Sequence, residues 1–128
     1  MHLKVVSPVL GFESIEEFSW EKIDEYFSKL QSLQSKEIVF TLIDPLKIRS
    51  YDFSIPLFYK NLLKVEEGDN ILVRNIVLMQ DPIENSSINF MAPLIINEDK
   101  QLLAQVALDN TKYPDFGIAQ KIEGYLHG

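Results

Sequence analysis

The chain has 128 residues and a net charge of −7, from 12 lysines and arginines against 19 aspartates and glutamates. With 46% hydrophobic and 24% charged residues it can form one domain that buries roughly two thirds of its unfolded surface, which excludes a disordered or collagen-like chain. The lack of cysteine excludes disulfides, thiolate zinc sites and thiol catalysis, and the acidic balance without a Lys/Arg cluster disfavours direct nucleic-acid binding.

Leu3 to Ser7 alternates weakly and stops at Pro8, which predicts a short edge strand. The N-terminus lacks the long apolar core of a signal peptide, and no apolar run is long enough to span a bilayer, so a cytoplasmic protein with no membrane association is expected. Ser14-Ile15-Glu16-Glu17 has capping-box spacing, but Phe18, Trp20 and Ile23 leave helix and strand periods both open. From Asp24 onward, Ile23, Phe27 and Leu30 recur at four and three residues, predicting a short amphipathic helix that ends near Ser32 to Lys36.

Ile38 to Ile43 is a β-branched and aromatic run ended by Asp44-Pro45, expected as a central strand buried on both faces. Tyr51 to Ile55 alternates strictly and predicts a half-buried strand; Pro56 then suits the first turn of a short helix through Tyr59 to Leu63. Ile71 to Met79 is apolar on both faces except at Arg74 and Asn75, as in the middle of a sheet. Gln101 to Asp109 places Leu102, Ala104, Val106 and Leu108 on one face, and should form a hairpin with the segment before it. Ile118, Ile122, Tyr125 and Leu126 could form a small terminal helix. Short strands separated by turn signals, without βαβ order, indicate a mainly β fold: a single domain over residues 1–128, built as a small antiparallel β-barrel or sandwich with two or three short helices.

The segment Ser87 to Asn97 is apolar enough for a strand yet contains Asn89, Pro93 and Asn97. Proline cannot donate to a ladder and asparagine prefers turns, so a bulge, an edge or a specific side-chain bond is expected there, with either a structural or a binding role.

Reactive chemistry is sparse. His2 and His127 sit at the chain ends, no glycine-rich phosphate loop or nucleophile elbow is present, and the carboxylate clusters fall in predicted turns. An enzyme is not expected. A small carboxylate-dependent hydrolase or ligand-binding β-barrel would need a deep pocket holding Asp44, Asp52 or Asp109. Surface aromatics such as Tyr59, Tyr113 or Phe116 would serve as interface anchors with an acidic rim.

Leu10-Gly11-Phe12-Glu13, Leu30-Gln31-Ser32, Thr41 to Pro45, Tyr51 to Pro56, the Asn-x-x-Ala-Pro core within Asn89 to Asn97, Ala104 to Asp109 and Tyr113-Pro114 together resemble the bacterial flagellar assembly factor FliW family, nearly end to end. The resemblance implies a cytoplasmic β-barrel-like protein without cofactor or catalysis, expected to be monomeric. It also implies two protein partners: flagellin, and, when flagellin is absent, the RNA-binding translational regulator CsrA, which the factor antagonises. Asn89, Met91, Pro93 and Asn97, with Gln105 and Asp109 on the paired strand, are the residues the resemblance points to as a partner-binding face. The charged Trp20 to Leu33 region departs from the family pattern and is expected to be more helical.

Overall fold

The computed structural model describes residues 1–126, so His127 lies outside the described residues. Its strands are β1 (His2–Ser7), β2 (Glu17–Lys22), β3 (Phe27–Ser32), β4 (Val39–Ile43), β5 (Ile71–Leu78), β6 (Ser87–Ile88), β7 (Leu94–Asn97), β8 (Leu102–Gln105) and β9 (Gln120–Lys121). Two short helices, α1 (Leu57–Leu62) and α2 (Glu123–Leu126), complete the regular elements with two single 3₁₀ turns.

The strands run in the order β4-β3-β2-β1-β8-β7-β5, and a β4–β5 pairing closes this series into a seven-stranded barrel, with β6 and β9 appended beyond β5. Closure leaves no free edge within the barrel, and a barrel of this strand number is filled by its own side chains. Leu3, Phe18, Leu30, Leu42, Leu94, Ile96 and Leu103 form that filling. Two smaller apolar clusters cover the outside. One joins Ile43 and Val77 to Tyr51, Ile88, Phe90 and Ile122; the other joins Ile95, Ala104 and Leu102 to Leu63 and Val106.

The mainly β fold agrees with the expectation, and so do α1, β4, β5 and the antiparallel β7–β8 hairpin, whose register pairs Leu94 with Gln105 and Asn97 with Leu102. Four local expectations are corrected. The first concerns β1, which is not an edge: it pairs with β2 antiparallel and with β8 in parallel, and so makes the one parallel seam among the described pairings. That partner lies about a hundred residues away in sequence, beyond the reach of local pattern.

The second correction is the Asp24 helix. Asp24 Oδ1 accepts the amides of Tyr26 and Phe27 at 2.8 and 2.7 Å, forming a turn, and β2 and β3 pair on either side over five residue pairs from Phe18–Ser32 to Lys22–Ser28. In so short a window the apolar residues fit two periods. The one that buries Ser28, Leu30 and Ser32 together inside a sheet wins, while Ile23 is left exposed. The Trp20 to Leu33 region is therefore strand, not helix.

Third, Tyr51 to Ile55 is extended but belongs to no ladder. Its alternation is real and has another cause: Tyr51, Phe53 and Ile55 pack onto the barrel's outer clusters, while Asp52 and Ser54 face solvent. β4 also departs from the expected double burial, because Val39 is exposed.

Candidate functional site

The Ser87 to Asn97 segment is not one strand. β6 ends at Ile88, β7 begins at Leu94, and the residues between them leave the ladder in a loop held by named polar groups. The Asn89 side-chain oxygen accepts the Met91 amide at 3.0 Å, closing a small turn. Asn75 of β5, fully buried, donates its side-chain amide to the Asn89 carbonyl at 2.9 Å and to the Tyr51 hydroxyl at 3.1 Å. The Tyr51 hydroxyl in turn donates to the Phe90 carbonyl. Burial pushes the Tyr51 phenol up to about 12, outweighing the Asn75 amide and the Arg49 guanidinium, which act the other way. Arg49 lies over the Phe90 and Phe116 rings at 5.0 and 5.1 Å and caps an aromatic cluster on this side of the barrel.

Pro93 is buried, and its carbonyl accepts the Val106 amide at 2.9 Å; the Met91 carbonyl accepts the Leu108 amide at 2.8 Å. Loop and β8 are thus stitched together past the end of the regular hairpin. Gln105 adds a second stitch: its side chain accepts the Leu10 amide at 2.7 Å and donates to the Ala92 carbonyl at 3.2 Å. This draws the β1–β2 connection, which turns at Gly11 with φ +88°, toward the Asn89 loop.

Between them lies a groove of about 390 Å³ at one mouth of the barrel, lined by Val9, Leu10, Phe40, Ile76, Leu78, Ser87, Asn89, Ala92, Gln105, Ile118 and Ala119. Phe40 and Ile76 pack against the barrel core and form its floor. Its rim is apolar and open: Leu10 is 80%, Leu78 62% and Ile118 72% exposed. Large side chains so exposed around one concavity fit a protein-docking surface, because single scattered apolar residues would not converge.

The six residues singled out from sequence are only partly brought together. Asn89 and Gln105 line the groove, whereas Met91 and Pro93 shape the loop behind it. Asp109 lies beyond β8, where hydrogen bonds from the Thr111 side chain and backbone hold its carboxyl below the usual range.

Asn97 belongs to another cluster at the far end of β7. Fully buried, it donates to the Leu63 carbonyl at 2.9 Å and to Asp69 Oδ2 at 3.0 Å, and its oxygen accepts the Lys100 amide. The Lys100 ammonium lies 2.6 Å from Asp69 Oδ2 and, with the Glu66 amide and Asn97, lowers Asp69 to about 2. A lowered carboxyl stabilises the fold fully above the unfolded value of 3.8, and this contribution fades as pH falls toward 2. The melting temperature of Asp69→Asn is therefore expected to lie below wild type near neutrality, with the gap narrowing between about pH 4 and pH 2. A gap that stays constant over that window would show that the Asp69 charge contributes nothing.

Sequence reasoning missed Leu10, Leu78, Ile118 and Phe40 as site residues, and Asn75 and Tyr51 as the groups that position the loop. Asn75 carried a signal, being a polar interruption in an apolar run. The aromatics suggested as anchors lie elsewhere. Tyr113 and Phe116 stack on one another at 5.3 Å and 3°, and Tyr59 is half-buried against the outer cluster, next to the 65% exposed Phe58.

Of the three aspartates a hydrolase would need in a deep pocket, Asp52 and Asp109 are exposed. Asp44 lines a smaller cavity at the other mouth, but its Oδ1 accepts the Leu46 amide at 3.1 Å and its Oδ2 lies 3.8 Å from Arg74, so it is engaged in structure. Among the described residues no group of three or more His, Asp or Glu side chains is placed to hold a metal ion, and no helix is long and apolar enough to cross a membrane.

A family model described as FliW protein matches residues 1–115. The flagellar assembly factor FliW 2 of Wolinella succinogenes is 42% identical over 127 residues, covering 99% of this chain and 93% of that protein. The flagellar assembly factors FliW of Campylobacter lari and Sulfurimonas denitrificans are 42% and 43% identical over 127 residues, each match covering 98% of this chain and 97% and 98% of those proteins. A crystal structure of the flagellar assembly factor FliW superposes with a TM-score of 0.84 at 23% identity, covering 94% of this chain and 84% of that one, and shares the fold. The chain belongs to the FliW family.

Proposed function

We propose that this protein is a flagellar assembly factor that acts by binding other proteins: it holds flagellin in the cytoplasm and, when free of flagellin, binds and antagonises the translational regulator CsrA. The observation that carries this reading is the groove, an open apolar surface with Leu10, Leu78 and Ile118 on its rim, on a molecule of net charge −7. Those two features suit two partners of different chemistry. A filament subunit polymerises through apolar surface that needs cover before assembly, and the apolar groove offers that cover. An RNA-binding regulator presents a basic surface, and an acidic protein meets it quickly and blocks its access to phosphates. No catalysis or cofactor enters this scheme, and the protein works as a monomer in stoichiometric complexes.

The test is a titration of the purified chain with flagellin and with CsrA, followed by addition of flagellin to the CsrA complex. Saturable binding of both, with flagellin releasing CsrA, is the expected result. Binding to neither would overturn the proposal, and binding to flagellin without displacement of CsrA would remove the switch and leave a chaperone. The CsrA complex should weaken steeply with salt and the flagellin complex much less, since only the former rests on exposed charge.

A further inference from the structure

Tyr51 to Ile55 is an extended run outside every ladder, and its backbone is almost unused. In such a run the N–H and C=O groups of alternate residues point to opposite edges. Ser54 donates its amide to the Tyr113 hydroxyl at 3.0 Å, so the edge of Asp52 and Ser54 lies against the Tyr113 to Phe116 turn. The other edge belongs to Phe53 and Ile55. Among the described residues neither the amide nor the carbonyl of either one has a hydrogen-bond partner. Buried backbone groups are nearly always paired, and both residues are only half-buried, so these four groups face water.

The side chains hold this edge in shape before anything pairs with it. Phe53 packs on both outer clusters of the barrel, and Ile55 packs on the one around Leu63. A pre-extended edge with free donors and acceptors in alternation is a template for a second extended chain.

Two neighbours narrow the choice of that chain. Directly after Pro56, Leu57 and Phe58 open α1 with 71% and 65% of their surface exposed, placing two large apolar groups at the end of the edge. Asp52, on the outer face of the run, is exposed and makes no ion pair among the described residues. A lysine or arginine opposite it would complete a cross-strand pair. A second copy of this chain fits less well, because each copy carries a net charge of −7 and the two repel.

We propose that the Phe53 and Ile55 edge docks an extended segment of a partner protein by antiparallel strand addition, the segment placing basic residues over Asp52 and apolar residues toward Leu57 and Phe58. None of these residues lines the groove, so this surface is separate from the reading given to that site.

The probe is acetyl-Lys-Val-Lys-Val-Lys-Val-amide, titrated at about 150 mM salt to screen unspecific attraction. In the pairing proposed, the valines lie opposite Phe53 and Ile55 and supply the bonded amides, while the lysines lie opposite Asp52 and Ser54. Saturable binding is expected, with hydrogen exchange at the Phe53 and Ile55 amides fast in the free protein and slowed by the peptide. A peptide N-methylated at its valines keeps the charge and side chains and should bind at least about tenfold more weakly, whereas N-methylation at the lysines should cost less than about threefold. Leu57→Ser together with Phe58→Ser should weaken the peptide about tenfold with the melting temperature retained, since both side chains are mostly exposed. Failure to saturate, equal binding of the valine-methylated peptide, unchanged affinity in the double variant, or Phe53 and Ile55 amides already protected in the free protein at low concentration would each overturn the proposal. Protection that grows with protein concentration alone would reassign the edge to a second copy and overturn the foreign partner.

Discussion

A chain carrying Leu10→Asp together with Leu78→Asp is expected to bind flagellin at least about a hundredfold more weakly than wild type, with its melting temperature nearly unchanged. Both side chains stand at the groove rim and are mostly exposed, so in the free protein their replacement removes little packing. In a complex the same positions would be desolvated. Each aspartate would then place a carboxylate without a partner where a leucine had met apolar surface, and central apolar contacts of this kind are each worth about 2 kcal/mol or more. CsrA affinity in the absence of flagellin should change by less than about threefold, because that partner is assigned to exposed charge and two added aspartates leave the surface acidic. Calorimetric titration and a thermal melt on one preparation check both halves. Undiminished flagellin binding would remove the groove from the function, and a parallel fall in melting temperature would make it structural.

Asn75→Ala is expected to lower stability by about 3 kcal/mol and to weaken flagellin binding as well. The buried Asn75 amide satisfies the Asn89 carbonyl and the Tyr51 hydroxyl at once, and Ala leaves both without that donor in an apolar surround. Ser87, Asn89 and Ala92 line the groove, so freeing this loop should blur the docking surface that it shapes. Tyr51→Phe offers an independent check. A phenol raised to about 12 in the folded protein, against 10 when unfolded, favours folding up to pH 10, and stability is lost as pH rises from 10 toward 12. Relative to wild type, Tyr51→Phe should flatten the decline in urea midpoint over that alkaline window. A full-strength decline in the variant would place the titrating group elsewhere.

These two variants separate what positions the groove from what touches a partner. Pro93→Ala illustrates the difference. Asn89→Ala and Pro93→Ala change residues that the resemblance assigns to a partner-binding face, but Pro93 is buried and Asn89 holds the Met91 amide. Both substitutions are now expected to act first on the loop.

The amino-acid order alone determined the mainly β character, the positions of α1, β4 and β5, the β7–β8 hairpin and the irregularity around Asn89 and Pro93. Each follows from a period, a proline or a turn residue acting within about ten neighbours. Family membership was likewise legible: the resemblance carried by motifs such as Tyr51 to Pro56 and Asn89 to Asn97 agrees with the FliW family model that matches residues 1–115. Only the tertiary structure decided the rest. The β1–β8 seam and the β4–β5 closure join segments far apart in sequence, and closing the barrel chose a turn at Asp24 followed by strand β3 (Phe27–Ser32) over helix. The groove arises the same way: Leu10, Leu78 and Ile118 carry no common motif, and only the path of the chain brings them to one mouth. Asn97 shows the converse, since it shares a segment with Asn89 yet lies at the other end of β7, bonded to Leu63 and Asp69. Local pattern reports which face of a strand is apolar; which distant faces meet is set by the closure of the barrel and the burial it makes possible.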